Sequence, residues 1–352
     1  MKKISRIGFI DISKGIAIIC IILGHLRIPQ INSFVFTFHV PIFFIITGYF
    51  INNKIPLKEF ISKKYKTLVV PYIITCIIII LLATIKQIIT ANLLSGIITA
   101  IEWIYASLYG AGDTYFEPFY IKEIGAIWFL LASFWASIFL RFSLEFERKK
   151  QIIIILLLFL IGFWSRELFW FPFSIQAGCC ATLFMYFGYL FKQIENNFKN
   201  LNFILKLLIT ILALMIWIQF IINFQSFWLV HCDIGRGIID IIGSVCACYI
   251  IFLIAFYIEK YFKLISKVLS FLGKNSLYIL CIHIIELNLF KWHKIIYFFF
   301  KHISLTYQSY IFVLIILKFT FIFISTYIFS KYIIKNNQSM ENKPIFSHNE
   351  KC

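Results

Sequence analysis

Residues 7–26 read IGFIDISKGIAIICIILGHL. Without Asp11, Lys14 and His25 the run is almost wholly apolar, and it matches the roughly 20 residues a helix needs to cross a hydrocarbon layer of about 30 Å. An ionisable side chain in such a segment costs about 2.5–3.5 kcal/mol on insertion scales, so those that persist usually mark function. At about 100° per residue, Lys14 and His25 fall within roughly 20° of one another and Asp11 within about 60° of Lys14, so all three share a face. Their axial order puts Lys14 and His25 about 16 Å apart. The preceding Met1, Lys2 and Lys3 superficially resemble a secretory leader, but the apolar run is long, holds two charges and lacks a small-x-small cleavage site. It is read as an uncleaved first helix.

The rest of the chain extends that reading. Of 352 residues, 61% are hydrophobic, 19% aromatic and only 14% charged. A water-soluble domain of this length has no means of hiding so much apolar surface. A net charge of +17 would suit nucleic acid in a soluble protein, yet here Lys and Arg occupy short loops between apolar runs, where they set topology and meet anionic lipid. No nucleic-acid partner is expected. Seven of the cysteines, Cys20, Cys76, Cys179, Cys180, Cys246, Cys248 and Cys281, lie inside apolar runs, and no paired CxxC motifs offer zinc-site spacing. They read as small buried hydrophobes.

Apolar stretches at 6–27, 34–52, 66–90, 124–142, 151–168, 174–192, 202–223, 236–258, 270–290 and 308–334 predict an all-α membrane bundle of about ten transmembrane helices. Basic clusters at 2–6, 54–66, 141–150, 192–206, 260–274 and 331–351 fall on one side of these crossings. The other side holds only Arg27, Lys86, Lys122, Arg166, Arg236, Lys291, Lys294 and Lys301. By the positive-inside rule both termini are cytoplasmic. Residues 1–335 form the membrane domain, 91–123 the largest extracytoplasmic loop, and 336–352 a polar cytoplasmic tail expected to be disordered.

The second span opens with Phe34, Val35, Phe36, Thr37, Phe38 and His39, after a short turn at Ile28 to Gln30. An antiparallel return places His39 at a depth similar to His25. Two imidazoles facing one cavity suit a base with its orienter, or a metal pair. Metal is the weaker reading, since a catalytic zinc needs about three protein ligands and none completes the set locally. General base catalysis needs one neutral histidine, which apolar surroundings favour. The competing structural reading makes Asp11 and Lys14 a headgroup ion pair and His25 an interfacial residue. His283 and Glu286, spaced i, i+3 in the ninth span, either join the cavity or form a polar contact between helices.

Several of these stretches resemble a known family. Asp11-Ile12-Ser13-Lys14-Gly15-Ile16-Ala17, the Lys14-x10-His25 spacing, and Phe38-His39-Val40-Pro41 running to Thr47-Gly48-Tyr49 resemble the bacterial integral-membrane acyltransferases of acyltransferase family three, which includes O-acetyltransferases of surface polysaccharides. Lys63 to Tyr72 resembles its basic-xx-basic motif leading into a Pro-Tyr helix, with Lys63 and Lys66 where Arg is more usual. Ile127-Trp128-Phe129-Leu130-Leu131 is similar to its fourth helix, and Gly273 to Ile279, leading to His283, to its ninth.

The resemblance implies an O-acyltransferase of the bacterial cytoplasmic membrane. Its co-substrate would be cytoplasmic acyl-CoA, acetyl-CoA foremost, with no bound cofactor or metal, and its acceptor a cell-envelope glycan or lipid-linked precursor. Lys14, Lys63 and Lys66 would hold the donor's phosphates as point charges, without the bidentate fork of Arg. His25 would be the base, Asp11 and His39 would orient or polarise, and Trp128, His283 and Glu286 would border the cavity. The chain is expected to act without an appended hydrolase-like domain, and the sequence carries no signal for an oligomeric state. A transporter or flippase of a lipid-linked glycan is the rival, since intramembrane charges serve that purpose too; the spans show no evident inverted repeat in its favour.

Overall fold

The computed structural model describes residues 7–116, 119–300 and 306–341, with side chains as far as Tyr332. Its helices are α1 (Gly8–Gly24), α2 (Pro29–Val35), α3 (Pro41–Tyr49), α4 (Leu57–Lys64), α5 (Val70–Thr90), α6 (Leu93–Tyr109), α7 (Trp128–Ser143), α8 (Arg148–Ser165), α9 (Ile175–Lys199), α10 (Phe203–Ile222), α11 (Ile238–Tyr261), α12 (Lys263–Lys274), α13 (Ser276–Leu289), α14 (Trp292–Phe300) and α15 (Tyr307–Glu341). Among the described residues no strand is present beyond one isolated antiparallel bridge, between Tyr115 and Ile121.

Helices are what an apolar solvent demands, because lipid offers backbone N–H and C=O groups no partner. The outer surface fits that solvent. Leu81, Ile85 and Ile89 of α5, Leu208, Leu212 and Met215 of α10, and Ile324 and Ile328 of α15 are all exposed, a surplus of outward apolar side chains that water would not tolerate. By length and hydropathy, five helices among the described residues suffice to cross a membrane: Leu57–Thr90, Pro172–Lys199, Phe203–Ile222, Ile238–Tyr261 and Tyr307–Tyr332. α12 and α13 meet at a bend of 70° and form either a broken span or a re-entrant loop.

The protein is thus an all-helical, multi-pass membrane protein, with five helices among the described residues long and apolar enough to cross unbroken, against the expected ten. Local features set the other expected spans apart. α1 has 17 residues and α7 16, so each reaches only about 24–26 Å by helical rise, while α8 begins with Arg148, Lys149 and Lys150. The expected second span is two short helices, because Pro41 lacks an N–H to continue the hydrogen-bond ladder; it therefore starts α3 afresh at the first helical position. Within the expected loop 91–123, residues Leu93–Tyr109 form a helix capped by the Asn92 side chain, which accepts from Ser95 N–H. The expected polar tail also begins as helix, since α15 runs to Glu341, and 342–352 lie outside the described residues.

α1 is the wall between two apolar cores. Ala17 and Cys20 pack into one with Phe44, Phe184 and Ala247, while Ile18, Ile21 and Ile22 pack into the other with Ile79, Ile127 and Ile284. It is pinned lengthwise by a close crossing with α12, where a Cβ on Gly15 would run into the Leu269 carbonyl and one on Gly273 into the Asp11 carbonyl. α3 and α9 make a matching crossing through Gly48 and Gly188. Small residues at such crossings let backbones approach and dispersion act where no hydrophobic drive exists between helices.

Candidate active site

α1 ends where its apolar run ends. His25 is its C-cap, and Arg27 turns the chain aside with a left-handed φ of 58°, a conformation that costs a non-glycine residue of order 1–3 kcal/mol and tends to collect at functional sites. The turn leaves His25 exposed at the helix end, opening into a cavity of about 520 Å³. That cavity is lined by His25, Arg27, Asn32, Phe36, His39, Asp113, Glu123, Trp128 and Trp228, with apolar residues between them.

His39 reaches the same cavity from the turn between α2 and α3. Its Nδ1 is 2.7 Å from the Val35 carbonyl oxygen. A carbonyl only accepts, so Nδ1 carries the proton and Nε2 is left as an acceptor. The Phe36 ring packs beside it, with centroids 4.9 Å apart. Trp128, the first residue of α7, closes the far side, and the flat backbone of Gly112 lies against its indole.

Behind His25, outside the cavity lining, stands His283, with ring centroids 5.2 Å apart. Its Nδ1 is 2.9 Å from Glu286 Oε2, and Lys318 Nζ lies 3.0 Å from Glu286 Oε1. Glu286 Oε1 also accepts from the Trp292 indole N–H. The i, i+3 pair seen in the sequence is therefore joined, and α15 contributes the cation.

A second polar group sits at the cavity's mouth. His231 Nε2 is 2.9 Å from Asp113 Oδ2, and that bond holds the Asp113 carboxyl below its ordinary range. Burial, and then the neighbouring Asp113 charge, push Glu123 the other way. A further cavity of about 670 Å³ shares Asn32, Phe36 and Trp228 and continues past Gln30, Ser33, Gln225, Ser226 and Asp233. Amides, hydroxyls and a carboxylate beside an indole form a hydrogen-bonding, aromatic groove.

The remaining sequence candidates lie elsewhere. Asp11 and Lys14 pair at 3.7 Å toward the other end of α1, and neither lines the histidine cavity. Asp11 is buried and its Oδ2 has no hydrogen-bond partner among the described residues. Lys63, at the end of α4, and Lys66, in the π-helical segment Tyr65–Val69, are exposed, away from that cavity. Arg27, Asn32, Asp113, Glu123, Trp228 and Lys318 were not among the site candidates; of these only Lys318, a lysine inside an apolar span, carried a signal of its own. Among the described residues no group of three or more His, Cys, Asp or Glu side chains is placed to hold a metal ion.

With this geometry in place, comparison with known proteins is decisive at the level of the family. The model of the acyltransferase domain of acyltransferase family 3 matches residues 7–335, nearly the whole chain. No curated protein and no solved structure matches. The chain belongs to acyltransferase family 3 and is a membrane acyltransferase.

Proposed function

We propose that this acyltransferase moves a short acyl group, acetyl foremost, from cytoplasmic acyl-CoA to a hydroxyl of a cell-envelope glycan or its lipid-linked precursor, with His25 as general base. The observation that carries the reading is the position of His25: an imidazole at the end of a membrane helix, open to a cavity large enough for a sugar ring and bordered by a second imidazole. Working chemistry follows from that place. One His25 nitrogen takes the proton of the acceptor hydroxyl as its oxygen attacks the thioester carbonyl carbon. The carbon–sulfur bond breaks, and the same proton passes to the departing thiolate, leaving ester and free thiol. His39 Nε2, left as an acceptor, takes a hydrogen bond from a neighbouring hydroxyl of the same sugar and so orients the ring.

The polar groove running from Asn32 past Trp228 to Gln225 and Asp233 supports a saccharide acceptor. Sugars present hydroxyls to amides and carboxylates and C–H faces to aromatic rings. On the donor side, Lys14, Lys63 and Lys66 lie in the half of the molecule that the basic clusters assign to the cytoplasm. The roughly 16 Å between Lys14 and His25 is of the order a pantetheine arm spans. Asp11 acts in this scheme through Lys14, its ion-pair partner.

The test is transfer of labelled acetyl from acetyl-CoA to deacetylated envelope glycan of the source cells, using protein in lipid nanodiscs. Wild type transfers label, and His25→Ala loses at least 100-fold while remaining in the membrane at normal abundance. Normal transfer by His25→Ala removes His25 from the chemistry. Glycan movement without acyl-CoA, and no transfer with it, favours the flippase reading instead.

A further inference from the structure

The scheme above leaves unused the buried groups behind His25. His283 and Glu286 are 0% exposed and Lys318 5%. Burying three ionisable side chains in a membrane protein is costly unless each is paired, and here the pairing dictates where the protons sit. Glu286 Oε1 receives the Lys318 ammonium at 3.0 Å and the Trp292 indole N–H; both groups only donate. The positive charge of Lys318 at that distance favours the ionised form, so Glu286 is taken as a carboxylate, an acceptor at both oxygens. Its Oε2, 2.9 Å from His283 Nδ1, must be accepting a proton carried by that nitrogen. In a neutral imidazole the other nitrogen is then a bare acceptor. That atom, His283 Nε2, is buried and has no hydrogen-bond partner among the described residues.

A buried acceptor without a donor costs about 1–3 kcal/mol, and the ring next to this one belongs to His25. Two imidazoles joined by an N–H···N bond of about 2.9 Å have centroids about 5.2 Å apart, each nitrogen lying about 1.15 Å from its ring centre. The observed separation is 5.2 Å, with the planes at 62°. The spacing therefore admits an N–H···N bond between the two rings, and catalytic hydrogen bonds of this kind tighten when substrate is bound.

We infer that Lys318, Glu286 and His283 are positioning residues that fix the tautomer of His25: its ring N–H is given to His283 Nε2, and its other nitrogen, unprotonated, faces the cavity. The inference rests on the proposed role of His25 and adds its machinery. During transfer His25 takes the acceptor's proton on its free nitrogen and returns it to the leaving thiolate; the N–H toward His283 stays in place. His283, held by the Glu286 carboxylate, stabilises the transient imidazolium, as a buried carboxylate does behind the histidine of a serine-hydrolase triad. Lys318 keeps Glu286 ionised, and Arg27, Asn32, His39, Asp113 and Glu123 are the other polar or charged groups lining the cavity beside His25.

The test reads the tautomer directly, so it does not depend on the acceptor. Protein labelled with ¹⁵N-histidine in nanodiscs, with the His25 signals assigned from the His25→Gln variant, should show His25 as one neutral tautomer coupled to His283. His283→Phe, which fills the same space without nitrogens, should leave His25 as a mixture of tautomers. In the same preparations, His283→Phe should lower kcat for acetyl transfer at least 100-fold while KM for acetyl-CoA stays within threefold. If His283→Phe is not recovered folded, Lys318→Met carries the test, releasing Glu286 and with it the single tautomer. A His25 spectrum that is mixed in wild type, or unchanged in the variant, overturns the relay even if acetyl transfer is robust. A single His283-dependent tautomer in a protein that transfers no acetyl group upholds the relay and rejects the proposed function.

Discussion

Replacing Gly273 with alanine adds one methyl group some distance in sequence from any candidate catalytic residue, and it should nevertheless lower activity. Gly273 of α12 packs on the Asp11 carbonyl of α1, and Gly15 packs reciprocally on the Leu269 carbonyl. Real Cβ atoms essentially never come within 3.0 Å of another heavy atom, so the new methyl must drive the two backbones apart by on the order of 1 Å. Neither contact is with a flexible side-chain end, so no rotamer change absorbs the clash. Overpacking of this kind costs about 1–3 kcal/mol, or roughly 1–4 °C of thermal midpoint at this size. α1 carries His25 at its end, and a misplacement of about 1 Å at a reacting group costs about 100-fold in rate. Gly273→Ala in nanodiscs should therefore show both a lowered midpoint by tryptophan fluorescence and a kcat reduced at least tenfold, with protein still in the membrane. A midpoint within 1 °C of wild type together with unchanged kcat would refute the claim that this crossing sets the position of His25.

Four further expectations follow from separate parts of the molecule. His39→Ala should reduce acetyl transfer less than His25→Ala if it only orients; equal and complete loss at both positions, together with loss of wild-type activity on adding chelator, would point to a shared metal instead. Lys63→Gln with Lys66→Gln should raise KM for acetyl-CoA more than it lowers kcat, because remote phosphate contacts contribute mostly uniform binding; an unchanged KM would reduce these lysines to topology signals. Reporter fusions after residues 53, 145 and 195 should read cytoplasmic and those near 30, 115 and 232 extracytoplasmic, and two reversed reporters would undo the orientation. Glu123, whose carboxyl is raised by burial and by Asp113, favours the folded state only while protonated. Glu123→Gln should therefore raise the thermal midpoint at neutral pH and lose that advantage as pH falls toward about 4.5, where the carboxyl is protonated in both states, and a benefit independent of pH would contradict this.

The parts of this protein legible in the sequence are those that obey a local rule. Asp11, Lys14 and His25 stand out because an apolar run makes any charge conspicuous, and helical periodicity gives their common face. The reach of His39 into the same cavity followed from a short turn and an antiparallel return. Its exact setting did not, because the break before α3 comes from Pro41, and the chain was expected to run through it as helix. α6 was missed for the opposite reason: Ser95, Gly96 and Glu102 interrupt its apolar pattern, so 93–109 passed for loop although its cap at Asn92 is a standard start signal. Asp113 and Glu123 come from the connection between α6 and α7 and Trp228 from the one between α10 and α11; the two meet only when those helices are in place, and no spacing within the chain encodes that meeting.

Lys318 shows where the boundary lies. As a lysine inside an apolar span it was conspicuous, yet its partner Glu286 is 32 residues away on another helix. Sequence spacing speaks only for contacts within one helix, as it did for His283 and Glu286 at i, i+3. The physics nevertheless narrows the choice once topology is known: a buried cation needs an anion, and Glu286 is the anion already committed to a histidine. The same reasoning carries from Glu286 to His283 Nε2 and on to His25, each step following the match of donors to acceptors. Along that chain the cost of placing charge in a membrane becomes the means of holding one imidazole nitrogen ready for a proton.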